Sequence, residues 1–552
     1  MGVVTAGILD ATTSTLIEPG FELLSIDIRR EFDRVPYAEL TYIDGDPATQ
    51  KFPLTDSDFF AAGKEIEIRL RYEGDAAGEK TVFKGVVIRQ SVQLTGNGCI
   101  LNVELSDKAV KMTAARKSFV FENIKDGDLI GKLLTANGVT AGTIATTNVT
   151  HPRLVQYYTT DWDLMLCRAE ANGLLIASND GTVSAVAPVI GSGADYTFEF
   201  GIDEIYSFEL EADSRHQHVG IEGSSWDVKT QKMTVPAKAA PFELSQARLT
   251  ETGVYDVLGQ NTAQLVAGAA LSDKEAEAWA TGRMLKDRLS MLRGNIRVDG
   301  DSRYVLGKTV ELKGMSGLFT GKTLLTGIRH EVSDGGWYTW LQFGLSAEPY
   351  TARYPVTDSK AGGLLPGVNG LQIGIVEKIV DPDNEFRVEV KIPALGADKN
   401  KVWARLATAD AGKERGLFCM PEPGDEVILG FLNDDPRQPV ILGSVNSSAL
   451  PAPFKPADEN AIKGFVTKSG LKLIFDDTKK QVAISTSDDQ QVIIDEDQKS
   501  IELKDVNGNS VKLSADGITL TSKKDLILKA DGDVKIEGSG KVDIKGSEVT
   551  VI

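Results

Sequence analysis

Few residues in this chain have the types and spacings from which chemistry could be built. The run Gly317–Thr323, GLFTGKT, approaches a phosphate-cradling loop. Such a loop needs four residues between its glycines and a helix after them. Here three intervene and a strand-like run follows, so a glycine turn between strands is expected. His216 and His218 are two apart, which on a strand would turn both imidazoles to one side. No third His or Cys is close in sequence, so they read as polar or half-buried residues rather than metal ligands. Asp488-Asp489 and Asp495-Glu496-Asp497 supply carboxylates of the kind that glycoside cleavage uses in pairs. Each group falls at a corner between apolar pairs, where solvated turns are expected; a β-helical polysaccharide-cleaving enzyme is the remote alternative. In Asp505–Ser510, DVNGNS, the glycine is misplaced for a calcium loop of the EF-hand type. Cys99, Cys167 and Cys419 are isolated and odd in number, which fits buried thiols in a reducing compartment. No catalytic residue, cofactor or metal site follows from any of these.

Composition narrows the class further. The chain has 552 residues, 41% of them apolar and 25% charged, with a net charge of −19. That is the balance of a globular protein of several domains. The negative charge disfavours unspecific binding to nucleic acid or anionic lipid. No apolar run is long enough to cross a bilayer as a helix. The start, MGVVTAGILDATTSTLIEPG, lacks a basic region followed by an apolar core, so no signal peptide is expected.

The elements that must position the rest begin at the carboxy-terminal end. From Leu471 to Ile552 one unit repeats about every eight residues: two apolar residues flanking one other, then a polar or glycine-containing corner. The pairs are Val482/Ile484, Val492/Ile494, Ile501/Leu503, Val511/Leu513, Ile518/Leu520, Leu526/Leu528, Val534/Ile536, Val542/Ile544 and Val549/Val551. Residues at i and i+2 share one side of a strand. One short strand with two apolar residues cannot bury its face alone and must stack on copies. Beyond Pro456 there is no Trp, Tyr, Pro, His, Cys or Arg, and the last aromatic is Phe475. So thin a core predicts that several chains complete it as a β-prism, each strand pairing its backbone with strands of other chains. A single-chain solenoid is the competing reading. Val549, Val551 and Ile552 would leave apolar atoms and strand edges at the blunt end.

Upstream, strand-like runs fill 20–110 and return at 296–347. GKEIEI (Gly63–Ile68) matches GKTVEL (Gly307–Leu312), and Lys80-Thr81, Gly85 and Val92 lay onto Lys322-Thr323, Gly327 and Val332. This predicts two similar β-domains. Between them Asp126–Asn137, Thr160–Asn172 and Leu271–Arg293 read as helices, the last capped by Ser272 with Glu275. Five runs follow a Pro/Gly linker: Leu371–Val380, Phe386–Ile392, Val402–Ala407, Glu426–Leu432 and Val440–Val445. They suggest a small closed barrel of the OB type, in which Phe386, Val388, Val390 and Ile392 face one way and Arg387, Glu389 and Lys391 the other. The few aromatics of this barrel argue against nucleic-acid binding.

The barrel segment carries Asp381-Pro382, Gly424-Asp425-Glu426-Val427, Asp435-Pro436 and Gly443-Ser444-Val445. With the order of the domains around it, it resembles the phage baseplate-V and VgrG spike family. Val155–Ile176 and Ser214–Lys232 resemble the hub portion of that family, and the terminal repeat resembles its spike. The resemblance implies a mainly β chain: two β-barrel hub domains with an α/β insertion, an OB-fold barrel, and a C-terminal trimeric β-helix or β-prism spike. The expected divisions are 1–115 (first hub barrel), 116–294 (insertion), 295–350 (second hub barrel), 351–370 (linker), 371–446 (OB-fold), 447–468 (linker) and 469–552 (spike). It implies a non-enzymatic homotrimer that adapts a hexameric inner tube to a membrane-piercing needle, since two equivalent contacts per subunit reconcile three-fold with six-fold symmetry. The pairs from Val482 to Ile544 would be the trimer core. A PAAR-like tip protein would cover Val549, Val551 and Ile552, and other baseplate proteins would surround the hub. Some relatives carry a lysozyme or effector domain; here the interval before the spike is too short for one and the repeat runs to Ile552. That favours an extracellular phage-tail-like particle over a type VI secretion spike or a contractile phage tail. Assembly is expected in the bacterial cytoplasm.

Overall fold

The computed structural model describes residues 2–551 apart from 76–77, 97, 243–258, 260–261 and 397–399. Two compact units divide it, Met1–Asp358 and Ser359–Ile552. Both are mainly β.

The first unit is built on one hydrogen-bonded sheet. Its main strands are β1 (Val4–Asp10), β2 (Glu22–Glu31), β3 (Tyr37–Ile43), β4 (Glu65–Tyr72), β5 (Lys80–Thr95), β6 (Gly98–Ser106), β7 (Tyr196–Glu199), β8 (Ile205–Ala212), β9 (Leu292–Asp299), β10 (Thr309–Lys313), β11 (Gly321–Ser333) and β12 (Gly336–Phe343). Across the sheet the order is β8-β9-β12-β11-β2-β3-β6-β5-β4-β1, with β10 on β11 and β7 on β10. The duplication is plain in this order. Five strands, β2 to β6, pair as 2-3-6-5-4, and five later ones, β8 to β12, pair as 8-9-12-11-10. Each copy has its own core. The first packs Ile26, Ile28, Leu40, Tyr42, Ile66, Ile68, Val87, Leu101, Val103 and Leu105. The second packs Ile296, Val298, Val310, Leu312, Leu325, Ile328, Leu341 and Phe343. The second copy therefore also uses β7 and β8, from within 116–294.

The register corrects part of the sequence alignment. In copy one the ladders slip between Leu23 and Ser25 and between Val87 and Arg89; in copy two, between Ile205 and Ser207 and between Leu325 and Gly327. These are β-bulges, in which one extra residue bends the strand, and they coincide when the copies are laid together. They place Leu24 on Tyr206 and Ile88 on Thr326. Gly63–Ile68 does correspond to Gly307–Leu312. Gly85, however, corresponds to Thr323, not to Gly327. Matching by residue type slid Lys80–Gly85 four positions along β11 and Val92 two, because alternating strands tolerate even-numbered slips without exposing their cores.

The copies join through β11 and β2, from Gly327 opposite Glu31 to Val332 opposite Ile26. On the polar face Arg329 grips Asp27 with two nitrogens, Nε to Oδ1 at 3.0 Å and Nη2 to Oδ2 at 2.7 Å. Burial pushes the Asp27 carboxyl up, but Arg329 and Arg29 outweigh it and hold it below the usual carboxylate range. On the core face His330 is buried and its Nδ1 lies 2.9 Å from Thr339 Oγ1. Burial drives its pKa down to about 3, so the ring stays neutral inside the sheet.

Among the described residues of the insertion are the helices α1 (Asp126–Ala136), α2 (Asp161–Ala171) and α3 (Asp273–Met291). Leu129, Ile130, Leu133 and Leu134 are the buried face of α1, as their spacing requires. Ser272 Oγ accepts from the Glu275 amide at 3.2 Å and starts α3. Helix α3 also buries Asp287 and Arg288, which its apolar spacing does not reveal. Helices α1 and α2 are tied by a buried ionic knot. The guanidinium of Arg168 donates to Asp126 at 2.7 and 3.0 Å, Asn172 Nδ2 donates at 2.9 Å, and His151 Nε2 lies 3.0 Å away. Burial pushes the Asp126 carboxyl up, yet Arg168 with His151 and Asn172 holds it below the usual range. Removing one partner of such a pair strands the other charge. Asp126→Ala should cost about 3 kcal/mol in denaturant unfolding of this unit. The stabilisation is present above the carboxyl's unfolded pKa of about 4 and is lost as pH falls through its lower folded value. Wild type should therefore lose stability below about pH 4 more steeply than Asp126→Ala.

In the second unit, β13 (Gln372–Lys378), β14 (Arg387–Lys391), β15 (Lys401–Leu406), β16 (Glu426–Phe431) and β17 (Pro439–Ser444) close as a barrel in the order β13-β14-β15-β17-β16. Val388, Val390, Ile392, Ala404, Val427, Leu429 and Ile441 fill it. Phe386 does not join them. Its backbone is left-handed at φ 56° and its ring is 80% exposed. The turn before it is the cause: Asp381 accepts from the amides of Asp383, Glu385 and Arg387 at 3.1, 3.1 and 3.2 Å, and so forces the chain round one residue too early.

Candidate functional site

Beyond the barrel come seven short strands, β18 (Ile462–Val466), β19 (Lys472–Asp476), β20 (Gln481–Ser485), β21 (Gln491–Asp495), β22 (Ser500–Lys504), β23 (Ser510–Ser514) and β24 (Gly517–Thr521). Each pairs antiparallel with the next as a simple meander. Corners are made by side chains that mimic backbone. Asp505 Oδ1 accepts from the Asn507 and Asn509 amides at 3.0 and 2.7 Å, so DVNGNS is a side-chain-stapled turn. Asp495 holds its corner the same way, accepting from Gln498 N at 2.8 Å and Gln481 Nε2 at 3.0 Å.

Registered pairing aligns the apolar residues into two rows on one face. The first row is Phe475, Val482, Ile494, Ile501, Leu513 and Ile518; the second is Phe465, Leu473, Ile484, Val492, Leu503, Val511 and Leu520. Among the described residues of this unit nothing covers them. Ile484 is 52% exposed, Ile494 50%, Leu503 47% and Ile518 72%, where Val388 on an equally alternating strand of the barrel is fully buried. Along the second row runs an open trough of about 860 Å³. The opposite face begins apolar at Ile474, Ala483 and Ile493 and turns polar at Glu502, Lys512 and Thr519. Phe465, Leu473 and Phe475 extend the rows beyond the pairs recognised from sequence. Their own i, i+2 spacing was the available signal, hidden because Ile474 between them is also apolar.

Up to Thr521 the strand partners lie in the same chain, so the expectation that every strand pairs with another chain is corrected there. What is left for other chains is side-chain burial. Among the described residues no strand forms from 522 to 551. The continuing pairs stand in water: Leu526 and Leu528 are 58% and 63% exposed, Val534 and Ile536 55% and 66%, Val542 and Ile544 50% and 70%, Val549 and Val551 53% and 91%. Ile552 lies outside the described residues.

The other candidates resolve into structure. Gly317–Thr323 spans a one-turn helix, Ser316–Phe319, and the start of β11, with no helix after the lysine. His218 Nδ1 sits 3.4 Å from the buried Asp287, while His216 is exposed. Among the described residues no three His, Cys, Asp or Glu side chains converge as metal ligands. The aspartates of the barrel motif are turn-makers. Asp381 also grips Arg387 at 2.8 and 2.9 Å, and Asp435 grips Arg437 at 2.6 Å. Each guanidinium holds its carboxyl below the usual range.

A family model described as the Alg8 N-terminal domain matches residues 2–334. A second, the type VI secretion system/phage-baseplate injector OB domain, matches residues 372–445. The chain is similar to the type VI secretion system spike protein VgrG3 of Vibrio cholerae, 29% identical over 22% of this chain and 13% of the relative. It is also similar to VgrG4b of Pseudomonas aeruginosa, 33% identical over 19% of this chain and 14% of the relative. These matches therefore span about one-seventh of the curated relatives. Among solved structures, a Neisseria meningitidis tail protein aligns at TM-score 0.46 and 14% identity, covering 62% of this chain and 97% of its own. The Francisella PdpA–VgrG complex aligns at 0.43 and 11%, covering 94% and 88%.

The open face yields a direct test. Ile494→Lys or Val492→Lys should abolish self-association of the full chain in sedimentation, each lost aliphatic contact weakening it by about 1–2 kcal/mol per chain before the cost of the charge. Lys512→Glu, on the opposite face, should leave the sedimenting mass unchanged.

Proposed function

The chain belongs to the family of the Alg8 N-terminal domain and carries the injector OB domain of type VI secretion and phage baseplates; from that premise we propose that it is the structural hub and central spike of a contractile injection machine. The observation that carries the reading is the two-row apolar face, continued by apolar pairs to Val551, with no partner among the described residues. Water is a poor solvent for such a face. Two further copies would close it into a three-sided prism, and beyond Thr521 the strands themselves would form only between chains. The result is a stiff shaft, because no repeat opens without uncovering its neighbours on three chains. Charged outer residues such as Glu502 and Lys512 keep it soluble.

In this reading the duplicated sheet of 1–358 serves as the hub. Two like copies per chain give three chains six like units, the number a hexameric inner tube requires. A PAAR-like tip protein covers Val549, Val551 and Ile552, other baseplate proteins surround the hub, and the needle meets a target membrane during injection. The role is mechanical rather than catalytic. Among machines of this kind we favour an extracellular phage-tail-like particle, assembled in the bacterial cytoplasm, over a type VI secretion spike or a contractile phage tail.

Sedimentation of the purified full chain should give a trimer that resists dilution; a folded monomer would overturn the reading. Removing 546–552 should leave that trimer intact and eliminate binding of the co-encoded tip protein. Undiminished binding would place the tip contact elsewhere.

A further inference from the structure

The last residues of the first unit form a strap that is gripped at both ends. Tyr350–Arg353 makes one helical turn, and Tyr354 to Val356 run on from it toward the Pro/Gly linker. None of these residues is buried, so packing alone does not fix the path of the strap.

Helix α2 supplies the first clasp. Asp163 and Glu170 lie seven apart, two turns along one face of the helix. Glu170 accepts the Tyr350 amide on both carboxylate oxygens, at 3.1 and 3.0 Å. Asp163 Oδ1 accepts the Tyr350 phenol at 2.8 Å. Burial and the Asp163 carboxylate push that phenol up, so it stays a donor. One tyrosine is thus pinned by its backbone to one end of the helical face and by its tip to the other. Both carboxylates are fixed in turn. The Thr160 hydroxyl donates to Asp163 at 2.6 Å, and Lys286 of α3 pairs with Glu170. Behind them Trp162, Met165, Leu166 and Ala169 set α2 into the core of the insertion.

The ribbon made by Arg116–Lys125 and Thr150–Thr160 supplies the second clasp. Arg116 donates to the carbonyls of Pro355 and Val356 at 3.0 and 3.1 Å, and Thr159 Oγ1 donates to Val356 O at 2.9 Å. A bulge aims the guanidinium. The ladder slips between Gln156 and Thr159, Tyr158 takes a left-handed backbone at φ 40°, and its carbonyl accepts from Arg116 at 3.1 Å. Few residues with a bulky side chain sit at such an angle, and this one sits where the strap is gripped. Between the clasps Arg34 reaches the Tyr354 hydroxyl at 3.3 Å.

We propose that Tyr350–Val356 is the load-bearing joint of the chain, the place where pull or thrust passes between the helical insertion and all that follows it, with Tyr350 and Arg116 as its clasps. The contacts suit that task. They grip main-chain atoms at Tyr350, Pro355 and Val356, so load is carried by the backbone rather than by a flexible side chain. Most involve a charged partner, the stronger kind of hydrogen bond. They lead into α2, whose other face lies in a close-packed core that transmits strain. The joint rests on the mechanical reading of the chain and adds where force leaves the first unit.

Single-molecule pulling of the full chain tests it. With Cys419→Ser, handles go on Lys132→Cys, at an exposed position of α1, and on Thr357→Cys, just past the strap. Cys99 is buried, and burial pushes the Cys167 thiol up to about 11, so neither takes a handle. The chain with intact clasps should show no extension at low force. Arg116→Ala with Thr159→Val, or Tyr350→Ala, should release at low force up to about 25 Å, the reach of Tyr350–Val356 when extended. Tyr350→Phe, which keeps the ring and loses only the bond to Asp163, should release the same length at an intermediate force. Lys125→Ala, on the ribbon away from the strap, should behave as the unaltered chain. Slack of that length already present with the clasps intact would refute the joint, as would clasp variants that hold the same force as the unaltered chain. Neither result alters the sedimenting mass, so a trimer that fails this test leaves the hub-and-spike reading standing.

Discussion

A β-sheet has two faces and two edges, and each must meet either water or a partner suited to it. Two places in this chain show the demand most plainly. From 462 to 521 the backbone edges between neighbouring strands are paired while one apolar face is exposed; in 1–358 the outer edges of β8 and of β5 beyond Val87 have no strand partner among the described residues. An aliphatic face and an unpaired edge are covered by different means, the first by area and the second by hydrogen bonds in register. Neither is covered among the described residues, whose other strands pair with local neighbours.

Duplication gives the first unit its form. Two copies of a five-strand unit, with the same pairing order and the same bulges, are held together by one joint within the chain. That joint has an aliphatic core side at Ile26 and Ile28, and a polar side clamped by Arg329 on Asp27.

Much of this was legible in the amino-acid order, and the failures have physical causes. The strands of the barrel and the buried face of α1 announce themselves, because period and burial coincide at Val388, Val390 and Ile392 and at Leu129, Ile130, Leu133 and Leu134. The apolar rows from Val482 to Leu520 were found for the same reason. Bulges were not, because an extra residue at Ile88 or Thr326 leaves no mark in residue type. The repeat was laid out of register along β5 for another reason, since strict alternation looks the same after every even-numbered slip. Helix α3 hid two charges, Asp287 and Arg288, whose partners Arg283, Gln217 and His218 come from its own next turn and from a distant loop. Phe386 was placed on one face with Val388, Val390 and Ile392 by alternation alone; the Asp381 turn that swings it out depends on three amide contacts that spacing cannot show.

The two halves of the repeat differ in what they need in order to form. Strands up to Thr521 hold one another by backbone bonds within a chain, so the meander can exist before assembly, with only its face waiting. Residues 522–551 gain nothing from folding alone: two aliphatic side chains per strand do not offset the entropy of fixing the backbone around them. If three meanders close on their apolar rows, as proposed, the following segments would be tethered at a common origin, and their meeting would become intramolecular at high effective concentration. Winding would then run from Thr521 outward, each turn seeded by the one before, and a shaft grown from a closed base would reach its tip with all three chains in the same register.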